Sequence, residues 1–161
     1  MIDDALLKLS DGQAITTSAY STNTIDLLQA RDIGQGEKLM ASVRIDTAFA
    51  GGTNLTVLVI AHRTEDLTTD LALGAVSVLA ASETFATAYL EANRYIDMSL
   101  GEISQVKVDG ISAGFGDTAG LRYITISYIV TGTYTAGTVT SKLVTQSSVR
   151  KRVYPASSSM V

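Results

Sequence analysis

The side chains able to do chemistry are few. The chain has one histidine and no cysteine, so a thiol nucleophile, a disulfide and a thiolate metal site are all excluded. His62 closes an apolar run that begins at Asn54. A histidine there has the titration range of a general base, but the same place suits a strand-end ring held by backbone. Gly110-Ile111-Ser112-Ala113-Gly114 matches the G-x-S-x-G pattern of a nucleophile elbow. That chemistry needs a strand before the serine, a helix after it and a histidine further along the chain. Here a glycine-rich stretch, Gly110 to Gly120, follows, and His62 lies upstream. The series Gly114-Phe115-Gly116 to Gly120 is one residue too long for a dinucleotide-binding loop, and no βαβ pattern surrounds it.

Glu65, Asp66 and Asp70 cluster after His62 but not at EF-hand spacing; they read as a solvated acidic loop. One histidine without cysteine is too little for zinc. Asn54-Leu55-Thr56 is a formal glycosylation sequon. No catalytic residue, metal ligand or cofactor site is expected, and the chain is read as a binding protein rather than an enzyme.

The elements that would position any site are strands. The chain has 161 residues, of which 46% are apolar and only 17% charged, with a mean hydropathy of +0.24. That balance folds, and it leaves much surface uncharged. Twenty threonines and a single proline, Pro155, favour pleated strands with turns made by Gly, Asn, Asp and Ser. Period-2 alternation marks Leu39 to Asp46, Ile96 to Leu100 and Arg122 to Thr131. In the last, Ile124, Ile126, Tyr128 and Val130 fall on one face. Asn54–His62 and Ala75–Ala81 are more continuously apolar, as strands buried on both faces are. Ala14–Ala19, Thr22–Leu28 and Thr133–Val144 complete about eight strands. Helix is confined to two short candidates, Asp3–Leu9 and Ser82–Arg94. Many short strands with so little helix predict one all-β domain, a sandwich or barrel.

Residues 1–149 carry sixteen acidic and nine basic groups, a net charge of −7, whereas residues 150–161 are purely basic through Arg150, Lys151 and Arg152. An acidic body repels nucleic acid, and three cations attract it weakly. No apolar run approaches the length of a membrane helix, and Met1-Ile2-Asp3-Asp4 is acidic where a signal peptide is basic. The expectation is a soluble protein made in a cytoplasm, with no direct nucleic-acid or membrane partner.

One stretch is distinctive. Ser21-Thr22-Asn23-Thr24-Ile25-Asp26-Leu27 is followed by Ala30-Arg31-Asp32-Ile33-Gly34-Gln35-Gly36-Glu37, the strand 38–45 and the turn Gly51-Gly52-Thr53. This resembles the jelly-roll cement, or decoration, proteins of tailed-bacteriophage heads, typified by the Bordetella phage cement protein. Ser10-Asp11-Gly12-Gln13-Ala14 is similar to a stretch near the start of those chains. The likeness is tightest over roughly residues 10–60; beyond that it rests on strand rhythm and length.

The resemblance implies an eight-stranded jelly-roll sandwich spanning 1–161, with 1–12 and 150–161 as extended or peripheral segments. It also implies a homodimer or homotrimer on the outer surface of the capsid, bound to the major capsid protein. Position and charge contrast make Asp3, Asp4 and Leu7, together with Arg150, Lys151, Arg152 and Tyr154, the candidate contacts. The competing reading is a jelly-roll carbohydrate-binding module, which would need exposed aromatic side chains on one sheet face.

Overall fold

A computed structural model describes residues 5–26, 38–100 and 122–146. The chain enters through a 3-10 turn, Ala5–Leu7, and then forms β1 (Lys8–Ala14), β2 (Ala19–Tyr20), β3 (Ile25–Asp26), β4 (Leu39–Ala50) and β5 (Asn54–His62). Helix α1 (Leu67–Leu73) leads to β6 (Val76–Ala81), β7 (Phe85–Ala86), a 3-10 turn at Thr87–Tyr89, and β8 (Tyr95–Ser99). The described chain ends with β9 (Tyr123–Thr131) and β10 (Ala136–Thr145).

The strands make two antiparallel sheets. The first has the order β1-β10-β4-β8 and the second β2-β9-β5-β6, with β3 also on β9 and β7 on β5. If β2 and β3 are taken as one interrupted strand, pairing is nested. First pairs with last (β1·β10), second with second-last (β2/β3·β9), β4 with β8, and β5 with β6. A two-stranded ribbon so paired and wrapped around a core is a jelly roll.

Ten strands form among the described residues, not the expected eight. The strand opposite β9 is broken at residues 21–24, where Ser21 exchanges bonds with Ile126 through both its backbone and its Oγ, and Asn23 N–H turns away to Leu9 O. β7 is an extra two-residue pairing on the start of β5. The expected helix at Ser82–Arg94 is replaced by β7 and the 3-10 turn, and the described part of the other candidate, residues 5–9, holds one 3-10 turn before β1 begins.

The core lies between the sheets. Val43, Ile45, Val139 and Leu143 of the first sheet meet Leu55, Val57, Val59, Ile124 and Ile126 of the second, all buried. One polar bridge crosses it: Tyr128 Oη on the second sheet lies 2.9 Å from Ser10 Oγ and donates to Ser141 Oγ at 2.9 Å, both on the first. Burial holds the phenol above its ordinary pKa, and the bonds to Ser10 and Ser141 oppose that shift. At one end Phe49 and Tyr134 pack edge to face, with ring centroids 4.8 Å apart. They rest on glycines. Gly137, at φ +142°, lies against the Phe49 ring, and a methyl at Gly52 would sit 2.6 Å from the Tyr134 ring.

Candidate docking surface

His62 is the natural place to look for a site. Its ring is fully buried. Nδ1 faces Thr64 O at 2.7 Å, and a carbonyl can only accept, so Nδ1 donates. Nε2 lies 2.8 Å from Thr125 Oγ1, which lies 3.1 Å from Thr24 Oγ1. Asp70 Oδ2 stands 3.4 Å from Nδ1 and accepts from Thr64 N at 2.6 Å and Thr64 Oγ1 at 3.1 Å. Tyr123 stacks on the ring, with centroids 5.7 Å apart.

Hydroxyl, imidazole and carboxyl are thus in the order of a hydrolase triad, but Thr125 is buried on a central strand and its oxygen is occupied by Thr24 and His62. No substrate carbonyl can reach it. What the array does is mechanical: it anchors the β5–α1 connection to the sheet. The ring is held by backbone, as a strand-end histidine would be.

Of the acidic residues after His62, Glu65 and Asp66 stand exposed in the loop before α1, as expected, whereas Asp70 is buried on the helix. Asp66 caps α1, accepting from Thr68 N at 3.0 Å and Thr69 Oγ1 at 2.5 Å. Those bonds, the Thr69 hydroxyl foremost, hold its carboxyl below the usual carboxylate range. Asp70 points inward, and Gly74 ends the helix in the left-handed region at φ 67°. Among the described residues no group of three or more His, Asp or Glu side chains is placed to hold a metal ion. Asn54 of the sequon is paired in β5 with Thr131 and Ala86. The Ser112 motif and the glycines up to Gly120 lie outside the described residues.

So do Asp3, Asp4, Arg150, Lys151, Arg152 and Tyr154, while Leu7 packs half-buried against the main core. What sequence reasoning missed is a difference between the outer faces of the sheets. The strands of the first sheet carry six charged side chains: Lys8, Asp11, Arg44, Asp46, Asp97 and Lys142. They pair locally, Lys8 with Asp11 at 3.3 Å and Arg44 with Asp46 at 2.6 Å.

The strands of the second sheet carry one charged residue, Asp26, held at a corner by a bidentate Arg122 at 2.7 and 2.6 Å. The rest of that outer face is Tyr20, Ser127 and Leu58 in one cross-strand row, Ile129 beside Thr56 in the next, and Ile60 beside Val78 in a third. Helix α1 lays Leu67 and Leu71 over Ile60, Val76 and Val78, forming a second apolar cluster outside the sandwich. Beyond the helix's cover Tyr20 is 45% exposed and Ile129 43%, and Leu73, on the helix itself, is 75% exposed. Only the double cover of β5 was visible, as the near-continuous apolar run of Asn54–His62, which a strand open to solvent on one face would not tolerate.

Between β6 and β8 runs an open groove of about 550 Å³, lined by residues 80–83, Phe85 and residues 94–99. Tyr95 is its exposed aromatic, beside Glu83, Arg94 and Asp97. No helix among the described residues is long and apolar enough to cross a membrane.

A double-sheet β-sandwich with jelly-roll pairing, a closed polar cluster and one uncharged outer face is the class this structure defines. A family model described as Bbp16 matches residues 9–143, and the chain belongs to that family, which takes its name from a Bordetella phage protein. No curated protein matches the chain.

Proposed function

We propose that the protein is a capsid cement, or decoration, protein of a tailed bacteriophage. It binds the outside of the head, bridges major capsid protein subunits and stabilises the shell, with no catalytic step and no cofactor. The observation that carries this reading is membership of a phage protein family over residues 9–143. The body supports it: two sheets locked across a closed core, and an outer face with almost no charge to desolvate.

The physics of cementing is linkage. A protein that binds the assembled shell and not its free subunits shifts the equilibrium toward the shell by mass action. Many modest contacts on one particle add up because bridging raises the effective concentration of each.

The test is co-sedimentation of purified protein with heads stripped of it, followed by heating of loaded and bare heads. Saturable binding at a fixed ratio to capsid subunits, with a raised melting temperature of the shell, is the expected result. Protein that stays in the supernatant at micromolar concentration would refute the reading. A glycan array is then the next measurement, because Tyr95 stands exposed at the β6–β8 groove.

A further inference from the structure

We propose that the groove between β6 and β8 receives the chain's own C-terminal segment, residues 149–154, laid in as an extended strand; this stands apart from the cement reading. Among the described residues β6 and β8 are outer strands of their sheets, and the groove runs between them along the side of the sandwich. Sheet edges invite foreign strands, and cover by a further segment is a common remedy.

Charge selects the segment. Exposed Glu83 and Asp97 stand on the two sides of the groove. Arg94, the cation of its lining, is turned onto Tyr89, donating to Tyr89 O at 3.1 Å and lying over the ring. Four stretches lie outside the described residues. Residues 1–4 carry two acidic groups, 27–37 two acidic and one basic, and 101–121 three acidic and one basic. Only 147–161 is basic, through Arg150, Lys151 and Arg152, with no acidic group. Glu65 and Asp66 offer no comparable seat, since neither lines the groove and Asp66 is engaged by Thr68 and Thr69.

The side-chain pattern fits as well. In an extended chain Arg150, Arg152 and Tyr154 fall on one side and Val149, Lys151 and Val153 on the other. The first set faces the carboxylates at the mouth. The second faces the apolar lining, Ala80, Phe85 and Met98, where Lys151 lays its aliphatic stem. Pro155 follows and cannot continue a ladder.

Reach sets the direction. Thr145 stands opposite Leu39, and Leu100 N–H donates to Leu39 O at 3.1 Å. The end of β10 is therefore two strand spacings, about 10 Å, from the end of β8, and the groove lies about one spacing further. Gln146 N–H is held by Lys38 O at 3.0 Å. Four extended residues, 147–150, cover about 13 Å. The segment thus enters at Ser99 and runs antiparallel to β8, whose five residues match 150–154 in length.

The chain has no cysteine, so paired cysteines report proximity cleanly. Ala81→Cys with Val153→Cys joins groove and tail; Thr47→Cys with Val153→Cys is the control, on an exposed site near the far end of β4. The expected result is an intramolecular disulfide that forms at least about tenfold faster in the first pair. Trypsin gives a second measurement, since it cuts after Arg150, Lys151 and Arg152. Cleavage there should be about fivefold faster in Glu83→Lys with Asp97→Lys than in wild type, the size of effect two surface charge pairs supply. Melting temperatures establish that the variants fold, and Glu83→Lys alone serves where the double variant does not.

Equal disulfide rates in the two pairs, or equal cleavage of variant and wild type, would overturn the proposal. A disulfide-linked dimer in place of the intramolecular bond would put the tail in a neighbouring copy's groove and overturn the assignment to its own chain. Binding to stripped heads tests the cement reading separately, and either can fail without the other.

Discussion

The two sheets share a core but treat their outer faces in opposite ways. In the first, β8 alternates strictly, with Ile96 and Met98 buried and Tyr95, Asp97 and Ser99 exposed. Six charged residues stand on the four strands of that sheet. In the second, β5 and β9 lose the alternation: His62, Ile60, Thr125 and Ser127 point outward and are nevertheless buried. The cause is local. α1 covers one half of that face, and the His62–Asp70–Thr64 cluster fastens the helix down. Among the described residues the other half has no such cover, and there Tyr20 and Ile129 are exposed. Loss of alternation in a strand is therefore a marker of cover on both sides, and here the cover is incomplete.

The contrast depends first on an intact body, and the strongest way to break it is to break both faces together. Gly137→Ala forces a side chain into a left-handed position against the Phe49 ring. Strain and overpacking together should cost about 3–5 kcal/mol, read as a large fall in the urea midpoint.

Leu67→Ala acts on one face only. It empties the cluster under α1 and should cost about 2–3 kcal/mol. Hydrogen exchange should rise in α1, β5 and β6 while β10 and β4 keep their protection.

Tyr128→Phe acts on the tie between the sheets. Losing the bonds to Ser10 and Ser141 should cost about 1–2 kcal/mol at neutral pH. The pH dependence runs one way. Burial raises the folded-state phenol pKa, so the unfolded chain releases its proton first. The stability contributed by the neutral phenol is complete below about pH 10 and is lost as pH rises above it. Melts from pH 8 to 11 should therefore fall more steeply for wild type than for the variant.

Arg44→Ala, on the hydrated face, removes a surface pair with Asp46 and should change stability by less than about 1 kcal/mol. A larger loss would mean the first sheet's charges are structural, and the contrast would weaken.

Much of this was legible in the sequence where one physical signal dominated. The alternation of Ile124, Ile126, Tyr128 and Val130 placed β9 and its inward face, and the unbroken apolar run placed β5 as doubly buried. Helix α1 was not read, because Glu65 to Asp70 is polar enough to pass for a loop and the helix has only seven residues. Its signals were nonetheless present: Asp66 as cap, Leu67 and Leu71 one turn apart, and Gly74 past the end. The breaks between β2 and β3, and the early start of β1 at Lys8, depend on partners distant in the chain, Ile126 and Lys142. Local pattern carries no information about those. Nor could it show that the uncharged surface would gather on one face, since that follows from which strands become neighbours.

The nested pairing also has a consequence in time. The strand at the centre of the first sheet, between β1 and β4, is β10, and the strand between β2 and β5 is β9; both are among the last to be synthesised. A ribosome that has delivered β1 through β8 has delivered every edge and one inner strand of each sheet, β4 and β5, with the other inner strand still missing. The second sheet is incomplete until β9 has been made and the first until β10 has, so folding is dominated by long-range closure, the slow regime for β proteins. The uncharged face is therefore assembled as a surface only once β9 has joined β2 to β5.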